Sequence, residues 1–233
     1  MKVPFYVVTA SVPPGNRITN FHGADSNSAS AVLANIPRFR HGSFDVAIPG
    51  WPDPGPDDSL ELRWDERKIL RLYQDGTLIF RVRGDSDFLG WGVEPHAFPA
   101  LPKLDPLVVV EVNTSFVHRY RAVVDLLKHP VERAFFHLSL HDFTQNGMRL
   151  FLTKYFSKGQ VDWGAATRYE VQMDPADKRL EVPVTDLMDT PNAVAYDVVA
   201  AFTSMFDMPQ EEIPLVNREG VRPEIDLAAI KAL

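Results

Sequence analysis

The run "HLSLHD" places His137 and His141 four residues apart, with Asp142 beside the second imidazole. On a helix that spacing can hold one metal ion. On a strand, a rise of ~3.3 Å per residue puts the two rings roughly 13 Å apart, too far to share one. The period-two alternation of "RAFFHLSLHDF" favours the strand, so the two histidines are read as lying on its polar face, and no metal is expected. His137, His141 and Asp142 remain the best-placed catalytic candidates for a histidine/carboxylate hydrolase. His22, Asp25 and Ser26 have the residue types of a hydrolase triad, but triads are assembled across space, and no G-x-S-x-G elbow is present. Asp25 or Ser26 is read instead as a helix cap. His118, Arg121 and Asp125 fall on one flank of a predicted helix, most simply as a solvated face with an i, i+4 Arg–Asp contact.

A second set of residues suits binding better than catalysis. Arg63, Arg71, Arg81 and Arg83, with Tyr73, surround the stretch "LRLYQDGTLIFRV", where Asp75-Gly76 marks a hairpin. A two-residue loop would pair Arg71 with Phe80 and mix charge into both faces. A three-residue loop, Gln74-Asp75-Gly76 with Gly76 in a left-handed conformation, sorts the chain into two sets. Leu70, Leu72, Leu78, Phe80 and Val82 then share one face, and Ile69, Arg71, Tyr73, Thr77, Ile79, Arg81 and Arg83 the other. The cationic-aromatic face could stack on and neutralise a single-stranded nucleic acid or a nucleotide. The neighbouring Glu61, Asp65, Asp85 and Asp87 argue for a solvated or internally paired face. Trp51 and Trp91, each in a Pro/Gly loop, have the character of protein-interface anchors, the alternative being loop tips folded back over the core.

The composition narrows the classes. The chain has 233 residues, 45% of them hydrophobic, enough for one large domain or two small ones. A net charge of −7 argues against a wholly nucleic-acid-coated or lipid-coated surface, though a local basic face survives that objection. With no cysteine, thiol nucleophiles, disulfides, Cys-ligated zinc and iron–sulfur clusters are excluded. No phosphate, dinucleotide or calcium loop is recognisable, so no cofactor is expected. The absence of an ~18-residue apolar run and of a signal-peptide pattern predicts a cytoplasmic protein with no membrane segment, bacterial in style.

These residues must be positioned by alternating strands and helices. Val3–Ser11 reads as a strand, and a short helix runs from Asp25 or Ser26 to about Asn35, where Pro37 stops it. "SFDVAI" reads as a second strand, Pro49–Ser59 as an exposed polyproline-like loop, and Leu60–Trp64 with the hairpin as a three-stranded meander. Leu107–Val112 reads as a buried strand, followed by a helix capped at Asn113, Thr114 or Ser115 and ended by Pro130. "RAFFHLSLHDF" and "MRLFLTKYF" read as a hairpin about Asn146-Gly147, and "RYEVQM" with "RLEVPV" as a pair about Asp174-Pro175. "DTPNAVAYDVVAAFTSMFDM" gives the longest helix, with Thr190 as cap and Pro191 in the first turn, and the tail closes in a short helix from Pro223. The expected fold is α+β, antiparallel hairpins and meanders with about three helices packed on them, as halves 1–129 and 130–233 or as one continuous domain.

The order "VPFYVVTASVPPG", "IPRFRHGSFDV", "LRLYQDGTLIF" resembles the accessory region that follows Schlafen/AlbA-type DNA- or ATP-binding domains in bacterial proteins. The resemblance covers roughly the first half of the chain and implies an accessory module whose companion domain would precede it. It carries no functional residue over. The residues themselves point first to a non-enzymatic binding or regulatory module that docks on a protein partner, as part of a larger bacterial assembly. The alternatives are a nucleic-acid- or nucleotide-binding module using Arg71, Tyr73, Arg81 and Arg83, and the hydrolase.

Overall fold

The computed structural model describes residues 2–23, 25–36, 38–40, 44–85, 88–89, 103–152, 167–171 and 173–232. In chain order the elements are β1 (Phe5–Ser11), α1 (Ala29–Ala34), β2 (Asp53–Pro54), β3 (Ser59–Trp64), β4 (Lys68–Tyr73), β5 (Leu78–Arg83) and β6 (Lys103–Leu104). They continue with α2 (Pro106–Val124), β7 (Arg133–His141), β8 (Arg149–Leu152), β9 (Thr167–Glu170), β10 (Ala176–Pro183), α3 (Val184–Asp189) and α4 (Pro191–Ser204). The chain ends with β11 (Val216–Asn217), β12 (Glu224–Ile225) and α5 (Leu227–Ala232). The fold is α+β. Seven antiparallel strands form one sheet in the order β10-β7-β1-β5-β4-β3-β2, with two small sheets, β6-β8-β9 and β11-β12, beside it. β1 pairs with β5 on one side and β7 on the other, so the large sheet takes strands from both sides of Pro130.

The hairpin has the three-residue register. Leu72 faces Leu78, Leu70 faces Phe80 and Lys68 faces Val82, with Gly76 at φ +88°. A Cβ at Gly76 would lie 2.7 Å from Leu127 Cδ2, the end of a side chain that would have to shift, and the main penalty there is a dihedral that L side chains rarely adopt. Gly76→Ala should therefore cost about 1–2 kcal/mol, read as a lower urea midpoint with an unchanged slope.

Strand alternation sends Tyr6, Val8, Ala10, Leu70, Leu72, Leu78, Phe80, Phe136, Leu138 and Leu140 to one face, where all are buried. The helices α2 and α4 cover that face. Phe202 meets the Tyr6 ring edge-on at 4.9 Å, Phe116 and Tyr120 meet Phe136, and the Tyr6 hydroxyl donates to Asn113 Oδ1 at 2.6 Å. Burial pushes the Tyr6 phenol well above its ordinary range despite that bond, so it stays protonated.

Several expectations are corrected. Leu107–Val112 is not a strand, because Asp105 caps a helix at the Leu107 N–H (2.9 Å) and Pro106 opens it. The β-branched run costs at most about 0.7 kcal/mol per residue in helix propensity. Burying each apolar side chain contributes about 1.5–3 kcal/mol, and α2 is buried on nearly every side, so packing overrides propensity. Asn113, Thr114 and Ser115 are consequently mid-helix, with Thr114 Oγ1 donating back to Val110 O at 2.7 Å. At 19 residues, α2 is also longer than the 14-residue α4, in which Pro191 does open the helix but the Thr190 side chain does not cap it, donating instead to Asp186 O at 3.1 Å at the end of α3. The first helix is capped by Ser28, whose Oγ accepts from Ala31 N at 3.1 Å, while Asp25 accepts from Asn20 and Asn27.

The described part of "SFDVAI", residues 44–48, lies outside any strand, and the prolyl loop contributes the two-residue edge strand β2. The two later hairpins do not form. Both sides of β7 are taken by β1 and β10, so β8 joins β6 and β9 instead, and β9 and β10 lie in different sheets. The chain leaves β7 through Asp142 at φ +61° and turns at Gly147 at φ +60°. Among the described residues no helix is long and apolar enough to cross a membrane.

Candidate functional site

The opposite face of the seven-stranded sheet carries the odd set of each strand. Across the centre the register aligns Ser139, Val7, Arg81, Ile69 and Arg63 in one row, and Arg179, His137, Thr9, Ile79, Arg71 and Glu61 in the next. The helices α2 and α4 cover the other face, and Phe5, Val7, Thr9, Ile79, Arg71 and Tyr73 are half-buried on this one. Arg71, Tyr73, Arg81 and Arg83 thus stand together as the hairpin register requires. His137 and His141 share the face, on β7.

The charges are largely paired within the face. Glu61 accepts from Arg71 Nε at 2.9 Å and from Arg63 Nε at 3.0 Å, and Arg71 Nη1 also reaches the Tyr73 hydroxyl at 3.3 Å. Burial alone would raise the Glu61 carboxyl, but the two guanidiniums outweigh it and hold it below the usual range. Arg83 Nε donates to Asp85 Oδ2 at 3.2 Å, Arg81 lies 3.9 Å from Glu66, and Arg133 pairs with Glu181. Phe5 is sandwiched. The Arg81 guanidinium sits 4.4 Å over its ring from the β5 side, and the His141 imidazole stacks at 4.5 Å and 13° from the β7 side. Neither face of that ring is left for a nucleobase.

The hydrolase candidates do not converge. His137 Nε2 lies 3.5 Å from Asp177 Oδ2, His141 Nε2 lies 3.0 Å from Ser139 Oγ, and the Asp142 amide donates to Asp174. His22 is exposed against the edge of Phe21, and Asp25 is spent on its own turn. His118 bonds Asn192 Oδ1 at 2.9 Å, and burial holds its pKa below the usual value; no ion pair joins Arg121 to Asp125 among the described residues. Among those residues no group of three or more His, Cys, Asp or Glu could hold a metal ion. Trp51 is 53% exposed at the prolyl loop, and Trp91 lies outside the described residues.

Sequence reasoning missed Lys68. It is 4% exposed, its Nζ donates to Asp45 O at 2.8 Å and stands 4.2 Å from the Phe88 ring centre, and it lines a cleft of about 520 Å³ with Arg38, Asp45, Ile48, Pro49 and Trp64. Burial pushes its ammonium down to about 8 against the pull of Asp45. The signal was available, since the hairpin register puts position 68 on the dry face with Leu70 and Leu72. Comparison with protein-family models, curated proteins and solved structures finds no match for this chain.

Proposed function

We propose that this protein is a docking module that binds a protein partner through the open face of its seven-stranded sheet. The observation that supports this reading is the character of that face. Arg179 aside, its arginines are held by neighbouring acids, and they are interleaved with Phe5, Tyr73, Phe135 and the aliphatic Val7, Ile69 and Ile79. Arginine and aromatic residues are the types enriched at protein interfaces, and internal pairing leaves less charge to release counterions from a polyanion. The resemblance to accessory regions of larger bacterial proteins agrees with a docking role.

The experiment is affinity capture from an extract of the source organism, using wild type and the variants Thr9→Arg and Ile79→Glu, which alter neighbouring outward positions. The expected outcome is a stoichiometric protein whose affinity falls about 30-fold or more in both variants, the mark of a central interface position. Capture that is unchanged by both variants, or no capture at all, overturns the reading. The triple variant R71Q/R81Q/R83Q should remain folded, losing about 1–2 kcal/mol through the Glu61 and Asp85 contacts. Tight, steeply salt-dependent binding of single-stranded DNA or RNA by the wild type, lost in that variant, would establish the nucleic-acid function instead.

A further inference from the structure

β10 is the outermost strand of the large sheet, and eight residues long. Only β7 pairs with it among the described residues. The Val184 amide bonds Glu132 O at 2.9 Å, which fixes the phase of the ladder. Even-numbered residues of β10 therefore exchange bonds with β7, and the backbone groups of Asp177, Arg179 and Glu181 point away from it, toward the free edge. Pro183, which lacks an N–H, occupies the next such position. The edge adjoins a groove of about 350 Å³ between β10 and α4, lined by Leu180, Val182, Tyr196, Ala200, Ala201 and Ser204.

We propose that two copies of this chain join through β10, antiparallel about a two-fold axis at Leu180, to form one continuous fourteen-stranded sheet. A two-fold axis allows few registers, and side-chain charge selects among them. Centred on Arg179, the pairing sets arginine against arginine and Asp177 against Glu181. Centred on Lys178 it opposes two lysines at the closest approach, and centred on Glu181 it opposes two glutamates. Centred on Leu180, each Arg179 faces the Glu181 of the second copy, the two leucines meet over the groove, and Asp177 N–H reaches the Pro183 carbonyl. Arg179 makes no ion pair within its own chain among the described residues, whereas Glu181 already leans on Arg133, so the second copy supplies the partner that Arg179 lacks. Centring on Lys178 would also set Asp177 against Arg179, but at the cost of the two opposed lysines, so the charges and proline that guard β10 against other strands favour the Leu180 register.

The chain contains no cysteine, so single cysteines report the register without background. Non-hydrogen-bonded partners approach to about 4.5 Å between Cα atoms, within disulfide range. Leu180→Cys should form a disulfide-linked dimer under mild oxidation, and Lys178→Cys, four residues from its symmetry mate, should not. In light scattering, the wild type should show twice the 26.2 kDa chain mass. Arg179→Glu and Glu181→Arg should each weaken association about tenfold, and an equimolar mixture of the two should recover it, since each supplies the charge the other lost. A wild type that stays monomeric up to its solubility limit, cross-linking as fast through residue 178 as through 180, or no recovery on mixing overturns the proposal. The dimer rests on the backbone edge of β10 and the docking function on the centre of the face around Thr9 and Ile79, three strands in, so a failed dimer leaves the docking function standing, and the reverse.

Discussion

Glu111→Ala should destabilise the protein by about 3–5 kcal/mol, measured by urea unfolding, because it breaks a buried ion pair from the carboxylate side. Glu111 is fully buried in the middle of α2, where its Oε1 accepts from Arg40 Nε at 2.9 Å and its Oε2 from the Phe44 amide at 2.6 Å. Those contacts fasten Arg40 and the stretch 44–48 to the helix, with Ser115 Oγ accepting from Val46 N at 3.2 Å one turn further on. Burial raises the Glu111 carboxyl, with Arg40 and the Phe44 amide opposing it. Removing the side chain takes the Glu111 acceptor from both Arg40 and the Phe44 amide and opens a polar hole in the packing of α2. Glu111→Gln should recover part of the loss, since an amide oxygen can still accept from Phe44.

Lys68 gives the second large effect, and it is a dependence on pH. Its folded value of about 8 lies below the ordinary 10.5, so between those limits the unfolded chain binds the extra proton. Stability then rises with pH across that window. The stability difference between wild type and Lys68→Met should move toward wild type by up to about 3 kcal/mol as pH rises from 8 to 10.5, and stay flat below 8. Using the difference cancels the tyrosines, which titrate alike in both proteins. A flat difference across the whole range would show that the Asp45 carbonyl and the Phe88 and Trp64 rings hold the ammonium charged without penalty.

The parts of this structure legible in the sequence were those specified locally. Asp75-Gly76 and the two apolar sets around it determine one register, and from it follow the outward arginines and the dry leucines; the same register carried back to position 68 puts Lys68 on the dry face, which was missed. The class of fold followed from hairpins and helical periodicity. Strand partners did not, because β7 offers its two edges to any strand of suitable pattern, and the winners, β1 and β10, are chosen by which helices cover the sheet. Leu107–Val112 misled for a related reason: a short run of valines reads alike in a buried strand and a buried helix, and only the Asp105-Pro106 start separates them. At the candidate site, the positions of Arg71, Arg81 and Arg83 were readable, but their acids and the stacking of Phe5 between Arg81 and His141 depend on neighbours brought together by the sheet.

The most direct test of docking through the open face is cross-linking from its centre. Thr9→Cys, the sole cysteine in such a chain, carries a benzophenone label at a half-buried outward position flanked by Ile79 and His137. Lys231→Cys on the exposed side of α5 is the control. Irradiation in an extract of the source organism should give one discrete adduct with another protein from residue 9 and none from residue 231. No adduct from residue 9, or the same adducts from both positions, would contradict the account.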